Sequence, residues 1–422
     1  MKSFRFIHAS DLHLGAPFRG ISAEQGDVAS ALRDATLKAY ENLIELCRRK
    51  KANFVVIAGD VYNAADRSIK TQLAFRDGLA SLALKGIEVF VAHGNHDPLQ
   101  EWIASLSWPE GVHVFGSTEV EEFTVKIDHV DAVRVYGISY GTKHENRNLL
   151  KKFRADKDPA IFRISVLHCN CGGQVGHDPY VPCTVRQLVE TGFDYWALGH
   201  VHERLELSAD PHVIYPGNTQ GLSIREQGPR GCYVVDVDEA GEVSLEFCPL
   251  DVIRWKTLEM DIENFQTLDA LDTFITDTLE TLCEQEGDRP VVCRIRLTGS
   301  GPLYPGLGRV GAEKDLLSRV RDTVLKLEPF VYVEKVENLC RPELDLARRK
   351  QEGDLLAELL KISDEIRETS SVRSELEGCL SELFENPGMR KRLDLDEIDD
   401  AELHQSLDSA ERLCIDLLES SG

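Results

Sequence analysis

Five β-rich runs in this 422-residue chain each end on a side chain that can donate to a metal ion. Residues 4–10 lead into Asp11 and His13, and residues 54–59 into Asp60. Residues 87–92 open into His93-Gly94-Asn95-His96-Asp97, residues 161–167 into His168, and residues 193–198 into His200 and His202. Between the runs, stretches near 27–51, 67–85 and 185–190 place apolar residues at helical spacing. Continuous apolar strands alternating with helices read as an open α/β sheet whose chemistry lies just beyond the carboxyl ends of its strands.

The donors have a consistent character. Asp11 and His13 stand two apart at a strand end, where both reach one ion; hard oxygen with borderline nitrogen suits manganese, iron or zinc better than calcium. Asp60 follows a glycine and has two oxygens with which to bridge two ions. Asn95 offers an amide oxygen, and His96 is placed to act as a proton donor beside the substrate, oriented by Asp97. Alternation along an extended segment puts His200 and His202 on one face, one for each ion. Together Asp11, His13, Asp60, Asn95, His168, His200 and His202 read as a two-metal phosphoesterase centre with His96 and Asp97 as its catalytic pair. His8 reads as a buried structural histidine, and His177, in a glycine-rich loop, is not counted as a ligand.

Residues 112–138 are rich in short strands, which suggests a second sheet packed on the first; runs at 231–237 and 243–248 close a domain at about residue 250. From 251 to 342 a helical pattern (268–283) alternates with the strand-like VVCRIRL and FVYVEKV, separated by a loop GSGPLYPGLG: a small α+β domain. From 343 to 422 the sequence is helical and acidic, with apolar stripes at Leu355, Leu356, Leu359, Leu360 and Ile362 and at Leu376, Leu380, Leu383 and Phe384. Asn386-Pro387-Gly388 and DLDEIDD interrupt it. These helices form either a small bundle or partly disordered tail, or a docking element.

The net charge of −24 is uneven: residues 251–422 hold 39 acidic and 22 basic side chains, so −17 of it lies there. The small basic group Lys151, Lys152 and Arg154 reads as a solvated face. Charge by itself therefore gives no nucleic-acid footprint. No apolar run is long enough to cross a bilayer and the first residues do not resemble a signal peptide, which places the expectation in the cytoplasm with no membrane role. Eleven cysteines without Cys-x-x-Cys pairs read as reduced structural thiols.

The segments DLH, GD, GNHD, the lone histidine after a strand, and GHVH together resemble the calcineurin-like metallophosphoesterases. With IHASDLHLG, LHCNCGG and FDYWALGHVHE, residues 1–250 are similar to the SbcD and YhaO branch of bacterial DNA repair exonucleases. The resemblance implies an α/β four-layer sandwich of two packed sheets flanked by helices, an α+β capping domain at 251–342 and a helical C-terminal region. It implies that Asp11, His13, Asp60 and His202 hold one ion and Asp60, Asn95, His168 and His200 the other, both manganese, with His96 protonating the leaving oxygen. It further implies a DNA exonuclease or endonuclease subunit of a repair complex, a hydrolase whose nucleophile is hydroxide activated between the ions. An SbcC- or YhaN-like coiled-coil ATPase would be its partner, and it would be a homodimer. One departure stands out: some nucleases of the superfamily have a histidine three residues after the bridging aspartate, where this chain has Asn63. Two alternatives stay open, a phosphatase or nucleotide phosphodiesterase acting on small molecules, and a non-catalytic scaffold that binds a partner.

Overall fold

Side chains alternate across a strand, so a strand that is apolar throughout needs a core on each face. The computed structural model describes residues 1–18, 26–63, 68–100, 107–145, 147–155, 158–173, 180–324, 326–344, 346–369, 376 and 400–419. Its first strands, β1 (Phe4–Ala9), β2 (Phe54–Ala58), β3 (Glu88–Ala92) and β4 (Val112–Val114), run parallel. Next come β5 (Glu121–Ile127), β6 (Val130–Gly137), β7 (Phe162–His168), β8 (Tyr195–Gly199), β9 (Leu205–Ala209) and β10 (His212–Tyr215), then β11 (Gly231–Val237) and β12 (Val243–Pro249). They build two mixed six-stranded sheets, in the orders β12-β11-β1-β2-β3-β4 and β5-β6-β7-β8-β10-β9.

One core lies between the sheets. Phe4 and Phe6 of β1, Phe54, Val56 and Ala58 of β2, and Phe90 and Ala92 of β3 meet Phe162, Ile164 and Val166 of β7 and Tyr195 and Ala197 of β8 there. The intervening residues of the first sheet, Ile7, Val55, Ile57, Val89 and Val91, face helices α1 (Gly26–Lys50) and α2 (Ile69–Ala83), whose Leu43, Cys47, Phe75, Leu79 and Leu82 are buried against them. Those of the second sheet, Leu167, Trp196 and Leu198, pack on Leu149 and Leu150 of a single 3₁₀ turn and on Leu188 of α3 (Val185–Val189). Helix, sheet, sheet, helix is the expected four-layer arrangement.

All of this belongs to one compact unit, Met1–Thr257 with Leu282–Cys293 and Lys326–Glu334. A second unit comprises Leu258–Thr281, Arg294–Leu325 and Lys335–Gly422, so the stretch 251–342 is divided between the two. From 254 to 338 the chain forms a three-stranded sheet of β13 (Arg254–Asp261), β14 (Val291–Thr298) and β15 (Val331–Asn338), with α4 (Leu268–Glu286), α5 (Tyr304–Leu307) and α6 (Ala312–Val324) between the strands. The loop GSGPLYPGLG was expected to lack helix, but it contains α5: Pro305 in the first turn starts a helix whose amide there has no partner to lose.

In the helical region, α7 (Leu346–Arg349) precedes α8 (Leu355–Glu368), which pairs with α9 (Asp400–Glu419). The expected stripe on α8 is divided. Leu356 and Leu360 are buried with Ile415, whereas Leu355 and Ile362 are 66% and 49% exposed, because five apolar positions in eight span more of a helix than one neighbour covers. Leu380, Leu383, Phe384, Asn386-Pro387-Gly388 and nearly all of DLDEIDD lie outside the described residues, as does His177.

Candidate metal centre

The carboxyl ends of both sheets bring the seven donor residues together. Past β1 and β2 the ladder continues into the loops, with Asp11 N donating to Gly59 O (3.1 Å), His13 N to Asp60 O (3.0 Å) and Leu14 N to Val61 O (2.9 Å). This holds Asp11, His13 and Asp60 with φ of 50°, 43° and 49°, and His200 has φ of 102°, all in territory that side chains disfavour. Conformations of this kind cost about 1–3 kcal/mol each and persist where packing dictates them. His200 therefore does not continue an extended strand, as alternation predicted: β8 stops at Gly199, and the turn is pinned by His200 N donating to Asp11 Oδ1 (3.1 Å).

The glycines in two motifs have steric reasons. A Cβ on Gly94 would stand 2.2 Å from Asp60 Oδ1 and 2.8 Å from His168 Nε2, and one on Gly199 would stand 1.7 Å from Ala58 O. Glycine permits this close approach of backbone to ligand side chains.

Two clusters of donors share this pocket. In one, His13 Nε2 lies 3.0 Å from His202 Nε2 and 3.9 Å from Asp60 Oδ2, and His202 Nε2 lies 4.0 Å from Asp11 Oδ1. In the other, His168 Nε2 lies 2.9 Å from Asn95 Oδ1 and 3.4 Å from Asp60 Oδ2, with His200 Nδ1 3.2 Å from Asn95 Oδ1. Asp60 Oδ1 accepts from His96 N (2.9 Å), which leaves Oδ2 turned toward an imidazole on either side. Asp11, His13 and His202, and again Asp11, Asp60 and His168, bring ligand atoms within 4.8 Å of one another. Carboxylate, imidazole and amide oxygen in this proportion fit manganese, iron or zinc.

The electrostatics point the same way. Burial lowers the proton affinity of His168, but Asp60, by charge and by hydrogen bond, more than offsets this and holds the imidazole up at about 9. Burial likewise lowers His202, and Glu226 raises it to about 9. His13 is pushed down to about 3 by burial and by the neighbouring His202. Asp60 stays well below the usual carboxylate range: burial opposes its charge and the imidazoles, His168 first, overcome that. Two positions, beside His168 and beside His202, thus favour positive charge, and the field that retains a proton there also attracts a metal cation.

Asp97 does not orient His96, and this expectation is corrected. Its Oδ2 accepts from Val61 N (2.9 Å) and Tyr62 N (3.3 Å) and from His93 Nδ1 (2.9 Å), and its Oδ1 from Gly94 N (2.8 Å). Consecutive side chains diverge, so adjacency in sequence carried Asp97 away from its neighbour's ring. The partner of His96 is Asn63, whose Oδ1 accepts from Nδ1 at 2.8 Å. The His96 ring stands edge-on to His13 with centroids 5.0 Å apart. Sequence reasoning singled out Asn63 only as a departure, gave His93 no role and missed Glu226 altogether. His93 lies within the GNHD-containing segment, while Glu226 lies in an irregular loop without periodicity. His8, as expected, is buried and structural, bonded to Tyr195 Oη (3.1 Å) and Leu198 O (3.2 Å).

Residues 4–204 match the family model described as calcineurin-like phosphoesterase, and residues 255–341 match the one described as metallophosphoesterase YhaO, middle domain. A curated protein of Bacillus subtilis, the uncharacterized metallophosphoesterase YhaO, is 36% identical over 81% of this chain and 83% of its own length. The DNA double-strand break repair protein Mre11 of Thermoplasma acidophilum is 27% identical over 61% of this chain and 69% of its length. Its namesake in Methanopyrus kandleri is 25% identical over 59% and 58%.

Proposed function

The chain belongs to the calcineurin-like metallophosphoesterases, in the family of YhaO, and from that premise we propose that it hydrolyses DNA phosphodiester bonds at a centre of two divalent ions, manganese by preference. The observation that carries this reading is Asp60 Oδ2 between the imidazoles of His13 (3.9 Å) and His168 (3.4 Å), with further donors completing a set on each side. Asp11, His13, Asp60 and His202 would hold one ion, and Asp60, Asn95, His168 and His200 the other. When bound, the ions supply Lewis-acid polarisation of the phosphoryl group and water of lowered pKa. His96 then has the protein's own chemical step: with Nδ1 held by Asn63, its Nε2 delivers a proton to the departing sugar oxygen.

DNA as substrate is supported by the likeness to the two Mre11 repair proteins. We further propose a catalytic domain at 1–250, a capping domain at 251–342, and a helical region at 343–422 that docks a coiled-coil ATPase in a homodimeric, cytoplasmic complex. Among the described residues no helix is long and apolar enough to cross a membrane. The net charge of −24 favours a second reading, hydrolysis of small phosphodiesters or nucleotides.

The test is manganese-dependent hydrolysis of linear DNA and of bis-p-nitrophenyl phosphate by wild type and His96→Ala, with metal content measured. Cleavage of both substrates, lost in a variant that keeps its metal, is the expected result. Cleavage of the small diester alone, with the ATPase partner added, selects the second reading. Two bound ions without hydrolysis of either rejects both.

A further inference from the structure

The imidazoles of the centre are backed unequally. His168 donates from Nδ1 to a backbone carbonyl, Ala58 O, at 3.0 Å. His202 donates from Nδ1 to a carboxylate, Glu226 Oε1, at 2.6 Å. Since carbonyl and carboxylate oxygens only accept, both rings carry their proton on Nδ1 and turn Nε2 into the pocket. The charge behind them differs.

Glu226 is itself held firmly. Its Oε2 accepts from Leu222 N (2.6 Å) and Asn218 Nδ2 (2.9 Å). The loop that carries it is tied by Trp255 Nε1 to Gly221 O (3.0 Å) and by Thr257 N to Gln227 Oε1 (2.8 Å). His202 is gripped from its other side as well, its carbonyl accepting from Arg230 Nη1 (2.5 Å) and Asn218 N (3.2 Å). An oriented carboxylate behind a ligand imidazole fixes the ring's tautomer and direction and makes Nε2 a stronger donor to a cation.

We infer that Glu226 is a positioning residue of the metal centre: it directs His202 Nε2 and makes the ion position served by Asp11, His13 and His202 the tighter of the two. The inference rests on the two-ion reading above. The neighbouring position instead draws on neutral Asn95 and on a His168 backed by a carbonyl.

Glu226→Gln keeps the shape and the acceptor oxygen but removes the charge, and Glu226→Asp keeps the charge but shortens its reach. Calorimetric titration of the metal-free full-length protein with manganese, backed by metal analysis after gel filtration, reads the two sites separately. Wild type should show two unequal binding steps. In Glu226→Gln the tighter step should weaken roughly ten- to a hundredfold while the weaker holds, so that the two converge; Glu226→Asp should weaken it less. If the carboxylate served only to brace its loop, glutamine, which can still accept from Leu222 N, would restore wild-type binding, and that result overturns the inference. So does loss at the weaker step alone. Should the glutamine variant not fold, by circular dichroism, unchanged binding in Glu226→Asp has the same force. A wild type that binds fewer than two ions rejects the two-ion reading itself, which is a separate outcome.

Discussion

The strand ends around the centre and the paired helices α8 and α9 are built on opposite terms. At the strand ends, β2 and β8 are buried throughout and β3 and β7 at all but one position each, so nearly every side chain has a core to enter. Between α8 and α9 the apolar cluster is Leu356, Leu360 and Ile415, with Ala357 and Leu403 also buried on these helices, while Leu355, Ile362, Leu413 and Leu417 are exposed. Ion pairs make up part of the difference: Arg367 reaches Glu411 (2.6 Å) and Asp408 (2.7 Å). Dense, two-sided packing can impose unfavourable backbone on its neighbours, whereas a thin seam cannot. A site that needs atoms fixed within tenths of an ångström belongs on the first kind of framework.

Truncations measure that contrast. Phe54 stacks on Phe6 with centroids 5.1 Å apart between the sheets, and Phe54→Ala should cost about 3–5 kcal/mol in urea unfolding. A loss under about 1 kcal/mol would break the comparison. Gly199→Ala forces a methyl into Ala58 O, and should cost about 3 kcal/mol and abolish manganese retention, measured together by melting and metal analysis. Leu360→Ala should cost roughly 2 kcal/mol, at the low end for its type because the cluster is small. Hydrogen exchange is the measurement there: amides of α8 and α9 should speed up and those of β2 and β3 should not. Arg367→Ala, which removes a partly exposed ion-pair network, should cost about 1 kcal/mol and less in high salt.

Asn63→Ala sharpens the point from the other side. Its stability should stay within about 0.5 kcal/mol of wild type. Turnover should nevertheless fall roughly ten- to a hundredfold, because His96 loses the acceptor that holds its Nδ1 while the frame is untouched. Equal turnover would remove Asn63 from the mechanism.

The same contrast governs what could be read from the sequence. β1, β2, β3, β7 and β8 were legible because a strand with two cores is apolar at most positions, and the donors were legible because they end such runs. Glu226 was not, since residues 216–230 follow no period and its partner His202 is distant in sequence. Asp97 was misread because sequence gives a neighbour's identity but not its direction. Strands β9, β10 and β13 were also missed. The first and last are half-exposed, with mixed polar composition, and blur the alternation that marks a strand.

The positive φ angles at Asp11, His13, Asp60 and His200 bear on how such a protein would evolve under selection for heat resistance alone. At each of these positions glycine relaxes the backbone, so a library screened only for survival on heating would gather glycine there and lose the ligands first. Counter-selection for retained manganese would be needed to keep the most heat-resistant members of such a library active.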